Sequence, residues 1–208
     1  MMNGRPAVVV LAAGEGSRFT GPGHKLEQRL GPDGETLLAR TLRHAMETEL
    51  RVVVVCSEAL APLVLNHVAA RDAVVLPNDP QRTGMGYSIA AGVAATGDAN
   101  GWLVLPGDMP LLQPATILAV AEALKDYPVA YAQHRGRRGH PVGFSAELYS
   151  ELVELQGNEG ARRIVARYPA QGVEVDDPGV LVDVDTREDL ARLQQKMRGV
   201  AAGVARIE

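Results

Sequence analysis

The chain has almost no thiol chemistry to offer, with one cysteine, Cys56, in 208 residues. An intrachain disulfide is therefore excluded. Cys56 closes the apolar run Val52-Val-Val-Val-Cys56, so its thiol reads as a packed core group on a buried strand and not as a nucleophile. Long apolar runs are missing too. No stretch approaches the roughly 20 apolar residues of a membrane-spanning helix, and no basic segment precedes an apolar stretch of leader length. The expectation is a cytoplasmic protein that does not engage a membrane. Aromatic residues make up only 4% of the chain, the formal net charge is −4, and the lysines and arginines are scattered without aromatic interleaving. That leaves no electrostatic footprint for nucleic acid. The cluster Arg135-Gly-Arg-Arg138 is too short to change this, and it stands open between a solvated hairpin tip and a site for an anionic substrate.

What is present is ordinary globular composition, 46% apolar and 22% charged, in a chain long enough for one sizeable core. A single domain over residues 1–198 is expected, with 199–208 as a loosely ordered tail. Nearly continuous β-branched runs recur at Ala7–Ala12, Val52–Val55, Ala73–Leu76 and Trp102–Leu105. Such runs suit strands buried on both faces. Helical spacing lies between them: Leu38, Leu42, Ala45 and Met46 behind a Thr36 cap, and Ile117, Val120, Ala121 and Leu124 after Pro114. Alternating strand and helix predicts an α/β fold with a parallel sheet covered on both sides. The second half loses this rhythm. Val129–Gln133 and Pro141–Phe144 read as a strand and its return, a short helix starts at Ala146, and another runs from Asn158 to Tyr168. Val173–Val175 and Val180–Val184 read as further strands, and Thr186–Met197 as a closing helix.

The chemistry concentrates at the carboxyl ends of these strands, where open α/β sheets bind ligands. After the first comes Leu11-Ala-Ala-Gly-Glu-Gly-Ser-Arg18, with Lys25 beyond it. Gly14 and Gly16 let backbone N–H groups approach an anion, and Arg18 and Lys25 supply the positive charge a polyphosphate needs. Two familiar phosphate loops do not fit. A dinucleotide fingerprint requires a third glycine where Phe19 stands, and a P-loop requires Gly-Lys-Ser/Thr where His24-Lys25-Leu26 stands. After the fourth strand, Leu105-Pro-Gly-Asp-Met-Pro110 sets Asp108 in a glycine turn, a natural ligand for Mg²⁺. An Asx turn or a helix cap is the bland alternative. Asp183 and Asp185, on alternating positions near the closing helix, form a second acidic pair. No Ser-His-Asp or Cys-His arrangement is evident.

These pieces, followed in order by Gly84-Met-Gly-Tyr-Ser88, Gly107-Asp-Met-Pro110, Gly139-His-Pro-Val142, Gly157-Asn-Glu-Gly-Ala-Arg162 and Asp183-Val-Asp-Thr186, resemble the MobA-like nucleotidyltransferases. Within them the resemblance is to the branch that contains molybdenum cofactor cytidylyltransferase, and it extends from residue 6 to about 195. It implies a three-layer α/β/α, Rossmann-like fold of the GT-A type with a mostly parallel sheet. It also implies transfer of a nucleotidyl group from a nucleoside triphosphate to a phosphorylated acceptor such as molybdopterin, with a molybdoenzyme client. By the same resemblance Gly14, Gly16, Arg18 and Lys25 would hold the triphosphate, with Arg18, Lys25 and Asp108 catalytic. Asp108, Asp185 and Asp183 would hold Mg²⁺, and Leu11, Ala12, Ala13, Asn78, Gly86 and Ser88 would surround the base and ribose. Ala13 favours CTP over GTP. His140 and Arg162 would meet the acceptor, although His140 beside a Gly-Pro turn also reads as structural. His24 stands where the family more often has Asp or Asn. Two alternatives stay open: a sugar or polyol phosphate as acceptor, and a non-catalytic cofactor-binding accessory protein.

Overall fold

A computed structural model describes residues 4–31, 34–79 and 84–204 of the chain, with side chains described as far as 197. Strands β1 (Ala7–Ala12), β2 (Arg51–Ser57), β3 (Ala73–Leu76), β4 (Gly101–Pro106), β5 (Val129–His134), β6 (Arg137–Ser145) and β7 (Ala170–Glu174) form one sheet in the order β3-β2-β1-β4-β6-β5-β7. The first four run parallel. β6 is antiparallel to both its neighbours, while β7 is parallel to β5.

Alternation along each strand sorts the core into two layers. From β1, Val8, Val10 and Ala12 face α1 (Leu37–Met46), α2 (Ala61–Leu65) and α4 (Pro114–Ala123). Ala7 and Val9 face the opposite way, toward α3 (Met85–Ala95), α5 (Tyr149–Val153) and α6 (Arg162–Arg167). Each fully buried side chain such as Leu38, Val54 or Ile117 contributes about 1.5–3 kcal/mol by leaving water. α3 lies so close to the sheet that a Cβ on Gly92 would sit 2.3 Å from Cγ1 of Val9. A third, smaller cluster joins Leu30, Leu37 and Val184 to Leu190 and Leu193 of α7 (Arg187–Val204), pinning the last helix beside the loop after β1. Among the described residues no helix is long and apolar enough to cross a membrane.

The parallel α/β frame has the strands the apolar runs predict, and four details differ. α3 was not marked by periodicity, because it is rich in Ala and Gly and apolar nearly all round. Val180–Val184 is not a strand: Asp177 caps a 3₁₀ turn at Pro178–Leu181, and the chain beyond it is irregular. The helix read from Asn158 begins only at Arg162, since Gly157 and Gly160 hold positive φ. The closing helix continues into the segment expected as a loose tail, to Val204, while 205–208 lie outside the described residues.

Candidate active site

β1 and β4 are adjacent and parallel, so their carboxyl ends deliver two loops to the same edge of the sheet. The Gly107 N–H donates to the Leu11 carbonyl at 2.9 Å, which carries the ladder one step beyond β4 and places Asp108 next to the glycine loop. The segment before α7 is brought in by the Val184 N–H, which donates to the Asp108 carbonyl at 3.2 Å. Close backbone packing fixes that approach: a Cβ on Gly139 would lie 2.1 Å from the Val180 carbonyl oxygen.

Three elements therefore converge on one ammonium group. Lys25 Nζ donates to Asp108 Oδ2 at 2.6 Å and to Asp185 Oδ1 at 3.0 Å. Arg18 Nη1 pairs with the other Asp185 oxygen at 2.7 Å. The side chains of Lys25, Asp108 and Asp185 are only 11%, 13% and 18% exposed, whereas Arg18 is 75% exposed. Burial alone would lower the Lys25 pKa; attraction and hydrogen bonding from Asp108, then Asp185, outweigh it and raise the group above its usual 10.5. Asp183, beside this pair, is held above the ordinary aspartate range by partial desolvation and by the carboxylates of Asp185 and Asp108. The Asp108 side chain caps no helix; Asp177 instead accepts from Gln113 N–H and the Thr116 hydroxyl at the start of α4.

Lys25 is positioned by His24, the residue that departs from the family's usual Asp or Asn, through a capping role that histidine itself does not announce. His24 Nδ1 accepts from the Leu26 N–H at 3.1 Å while Nε2 donates to the Gly14 carbonyl at 2.9 Å, the pattern of the neutral Nε2–H tautomer. Its own N–H donates to Glu27 Oε2 at 2.9 Å, closing a capping box around the short 3₁₀ turn that carries Lys25. Histidine is not among the usual capping residues, so only the downstream Glu27 offered a signal.

The glycines of the loop differ in kind. Gly16 has φ +63°, and its Cβ would come within 3.3 Å of Lys25 Cβ, so the turn itself requires glycine. Gly14 faces open space, with nothing within 4 Å of an added Cβ. Leu11 and Ala13 are partly covered, Ala12 is buried in the α1-side core, and Asn78 is exposed just past β3. Gly86 and Ser88 have internal partners. A Cβ on Gly86 would meet the Gln156 carbonyl oxygen at 2.6 Å, and the largely buried Ser88 hydroxyl turns back on the Gly84 carbonyl at 3.4 Å.

On β6, His140 follows from the pairing of Val142 with Val104 and so stands near the end of β4. Burial lowers its pKa from 6.5, with Asp108 opposing and Arg138 adding to the shift. Two buried side-chain atoms have no hydrogen-bond partner among the described residues, Asp108 Oδ1 and His140 Nδ1. Arg162 is exposed on the first turn of α6, and among the described residues no hydrogen bond or ion pair ties its side chain to the Lys25 cluster; its neighbour Arg163 pairs with Glu159. The Arg135–Arg138 cluster is a hairpin tip, with Arg135 and Gly136 both at positive φ and Arg138 over the Tyr131 ring at 4.4 Å.

Among the described residues no three potential metal ligands stand close enough to form a site by themselves. Asp108 and Asp185 do converge on one point, and Asp108 keeps a buried oxygen unpartnered. Two carboxylates completed by substrate phosphates is how Mg²⁺ is usually held, so the donor set fits such an ion.

Residues 8–173 match the family model described as MobA-like NTP transferase domain. The chain is similar to the purine catabolism protein PucB of Bacillus subtilis, 32% identical over 119 residues that make up 55% of this chain and 58% of that protein, little more than half its length. It is also similar to nicotine blue oxidoreductase of Paenarthrobacter nicotinovorans, 29% identical over 196 residues, 89% of this chain and 94% of the other. Among solved structures, Rv0371c of Mycobacterium tuberculosis H37Rv superposes with a TM-score of 0.77 at 27% identity, covering 94% of this chain and 100% of its own. A manganese complex of Rv0371c gives 0.72 at 25% identity, covering 92% and 98%.

Proposed function

The chain belongs to the MobA-like NTP transferase family, and from that premise we propose that it moves CMP from CTP to a phosphorylated acceptor of the molybdopterin type, releasing pyrophosphate. The observation that carries this reading is the meeting of Lys25, Arg18, Asp108 and Asp185 beside an open glycine loop at the ends of β1 and β4. A phosphate oxygen of the acceptor attacks the α-phosphorus in line; the new P–O bond forms as the bond to the bridging α,β-oxygen breaks, and that oxygen leaves with its electron pair on pyrophosphate. An ionised phosphate needs no deprotonation, so no general base is required, and positioning with charge neutralisation does the catalysis.

In this reading Gly14 leaves room for the phosphates, because no described residue comes within 4 Å of where its side chain would be. Arg18, exposed at the rim, and Lys25 neutralise the departing pyrophosphate. Asp108 and Asp185, with Asp183 at their side, would hold Mg²⁺ or Mn²⁺. When bound, that ion supplies charge neutralisation across the phosphate oxygens. Leu11 and Ala13 border the base, Ala12 by its backbone alone because its side chain lies in the core, with Asn78, Gly86 and Ser88 around the nucleoside, and Ala13 favours cytosine. His140 and Arg162 lie on the acceptor side, and the cytidylylated product serves a client molybdoenzyme. The relative named as an oxidoreductase suggests hydride chemistry as a rival; Phe19 in place of the third fingerprint glycine speaks against dinucleotide binding of the Rossmann type.

The test is pyrophosphate release from CTP, GTP and ATP with Mg²⁺, each with molybdopterin, a sugar phosphate or no acceptor, alongside NADH and NADPH oxidation. Release confined to CTP plus molybdopterin is expected. Release with a sugar phosphate alone would replace the acceptor, and reduced-nucleotide oxidation without pyrophosphate would overturn the transferase reading.

A further inference from the structure

The salt-bridge geometry also suggests how the site behaves before substrate arrives. Lys25 Nζ sits between Asp108 and Asp185, at the point where two carboxylates would hold a divalent cation. Its side chain is 11% exposed, so the ammonium is inside the cluster and not a solvated neighbour of it. A lysine ammonium and a divalent cation cannot share that point, because like charges at such distance in a poorly solvated site repel strongly. The ammonium also serves the cluster incompletely. It meets only one oxygen of Asp108, and the other, Oδ1, is buried without a partner among the described residues. Arg18 answers the second oxygen of Asp185 from the rim, but that oxygen of Asp108 is left unanswered, as a placeholder in the seat would leave it.

Resting on the metal-nucleotide reading above, we propose that Lys25 is a resident counter-cation that fills the divalent-ion seat of the nucleotide-free protein and moves out onto the triphosphate when the metal-nucleotide complex enters. Lys25 then couples the two ligands. Without nucleotide the ammonium has nowhere better to go, and metal alone is excluded. With nucleotide, the phosphates accept the ammonium and the two carboxylates are released to the ion, so metal and nucleotide each raise the other's affinity by the same factor. Arg18 lacks this role. Among the described residues its one ion pair is with Asp185, and it is 75% exposed, so it adds charge to the rim without occupying the seat.

The experiment is Mn²⁺ binding to the intact chain in the absence of nucleotide, followed by the electron paramagnetic resonance signal of free Mn²⁺ and by the Mn²⁺-induced rise in Tm. Lys25→Met should bind Mn²⁺ alone at least about tenfold more tightly than wild type, since a partly buried positive charge is removed from the seat. Arg18→Met should change the affinity by less than about threefold, as exposed pairs are weak. The Met variant leaves two carboxylates facing each other, so Lys25→Gln serves as a second variant, and either should gain more Tm on Mn²⁺ addition than wild type does. Equal Mn²⁺ affinity in wild type and both Lys25 variants, or an equal gain from Arg18→Met, overturns the proposal. Because these titrations contain no nucleotide, they stand apart from the transferase reading: a tightened Lys25→Met with no pyrophosphate release on any substrate sinks that reading and keeps this one.

Discussion

Asp177 offers the sharpest calculation the fold allows. The residue is 6% exposed, and its carboxylate accepts three hydrogen bonds: from Gln113 N–H at 2.9 Å, from the Thr116 hydroxyl at 2.7 Å and from Gly179 N–H at 2.9 Å. It therefore ties the start of α4 to the 3₁₀ turn that leads toward Asp183 and Asp185. Asp177→Ala strands the Thr116 and Gly179 donors in buried surroundings, at about 1–3 kcal/mol each, while the Gln113 N–H lies nearer the surface and water recovers part of its loss. The sum is a destabilisation of about 2–6 kcal/mol, centred near 4. For a chain of this size each kcal/mol moves Tm by roughly 2–4 °C, so a fall of about 10 °C is expected. Asp177→Asn retains one oxygen and should lose about half as much. Urea unfolding followed by circular dichroism gives the free energy directly. A loss below about 1 kcal/mol for the alanine variant refutes the claim that this carboxylate fastens the turn.

Three further outcomes follow from the same geometry. His24→Ala should raise the KM for the nucleotide several-fold while moving Tm by less than about 3 °C, and His24→Asn, which restores a capping acceptor, should recover most of that loss; an unchanged KM in the alanine variant contradicts a positioning role. Gly14→Ala and Gly139→Ala should separate cleanly: the first faces open space and should stay within about 0.5 kcal/mol of wild type yet bind triphosphate less well, while the second drives a Cβ into the Val180 carbonyl and should lose about 1–3 kcal/mol or more. Equal stability of the two would refute the packing argument. Glu35, which receives hydrogen bonds from Arg43 and Arg40, has a pKa below 4.5 despite the opposing effect of burial. Its contribution is present above 4.5 and is lost as pH falls through the lower folded value, so Glu35→Gln should flatten the acid limb of a stability-pH curve, and an unaltered limb would show the cluster to be inert.

Much of this frame was legible because buried parallel strands cannot alternate polar and apolar residues. Val8 to Val10, Val52 to Val55 and Trp102 to Leu105 announce themselves as uninterrupted apolar runs. α3 was silent for the opposite reason: packed against the sheet through Gly92 and under the Gln156–Asn158 loop through Gly86, it shows no polar stripe. The run Val180–Val184 imitates a strand, but the side chain of Asp177 and the close approach of Gly139 turn it into a 3₁₀ turn and an irregular link. The acids and cations of the site could be named because each lies beyond a recognisable strand end or just before a helix start. Their mutual arrangement could not. That Lys25 bridges Asp108 and Asp185, and that His24 holds Lys25 through the Gly14 carbonyl, depends on contacts across up to 160 positions of sequence.

The most direct test of the account is the rate of Mg²⁺-dependent pyrophosphate release by wild type and by Asp108→Ala, with the fold of each checked by circular dichroism. Release by the wild type, abolished in a folded Asp108→Ala, is the result predicted. Undiminished release by the variant would contradict the placement of the metal-triphosphate site at the ends of β1 and β4.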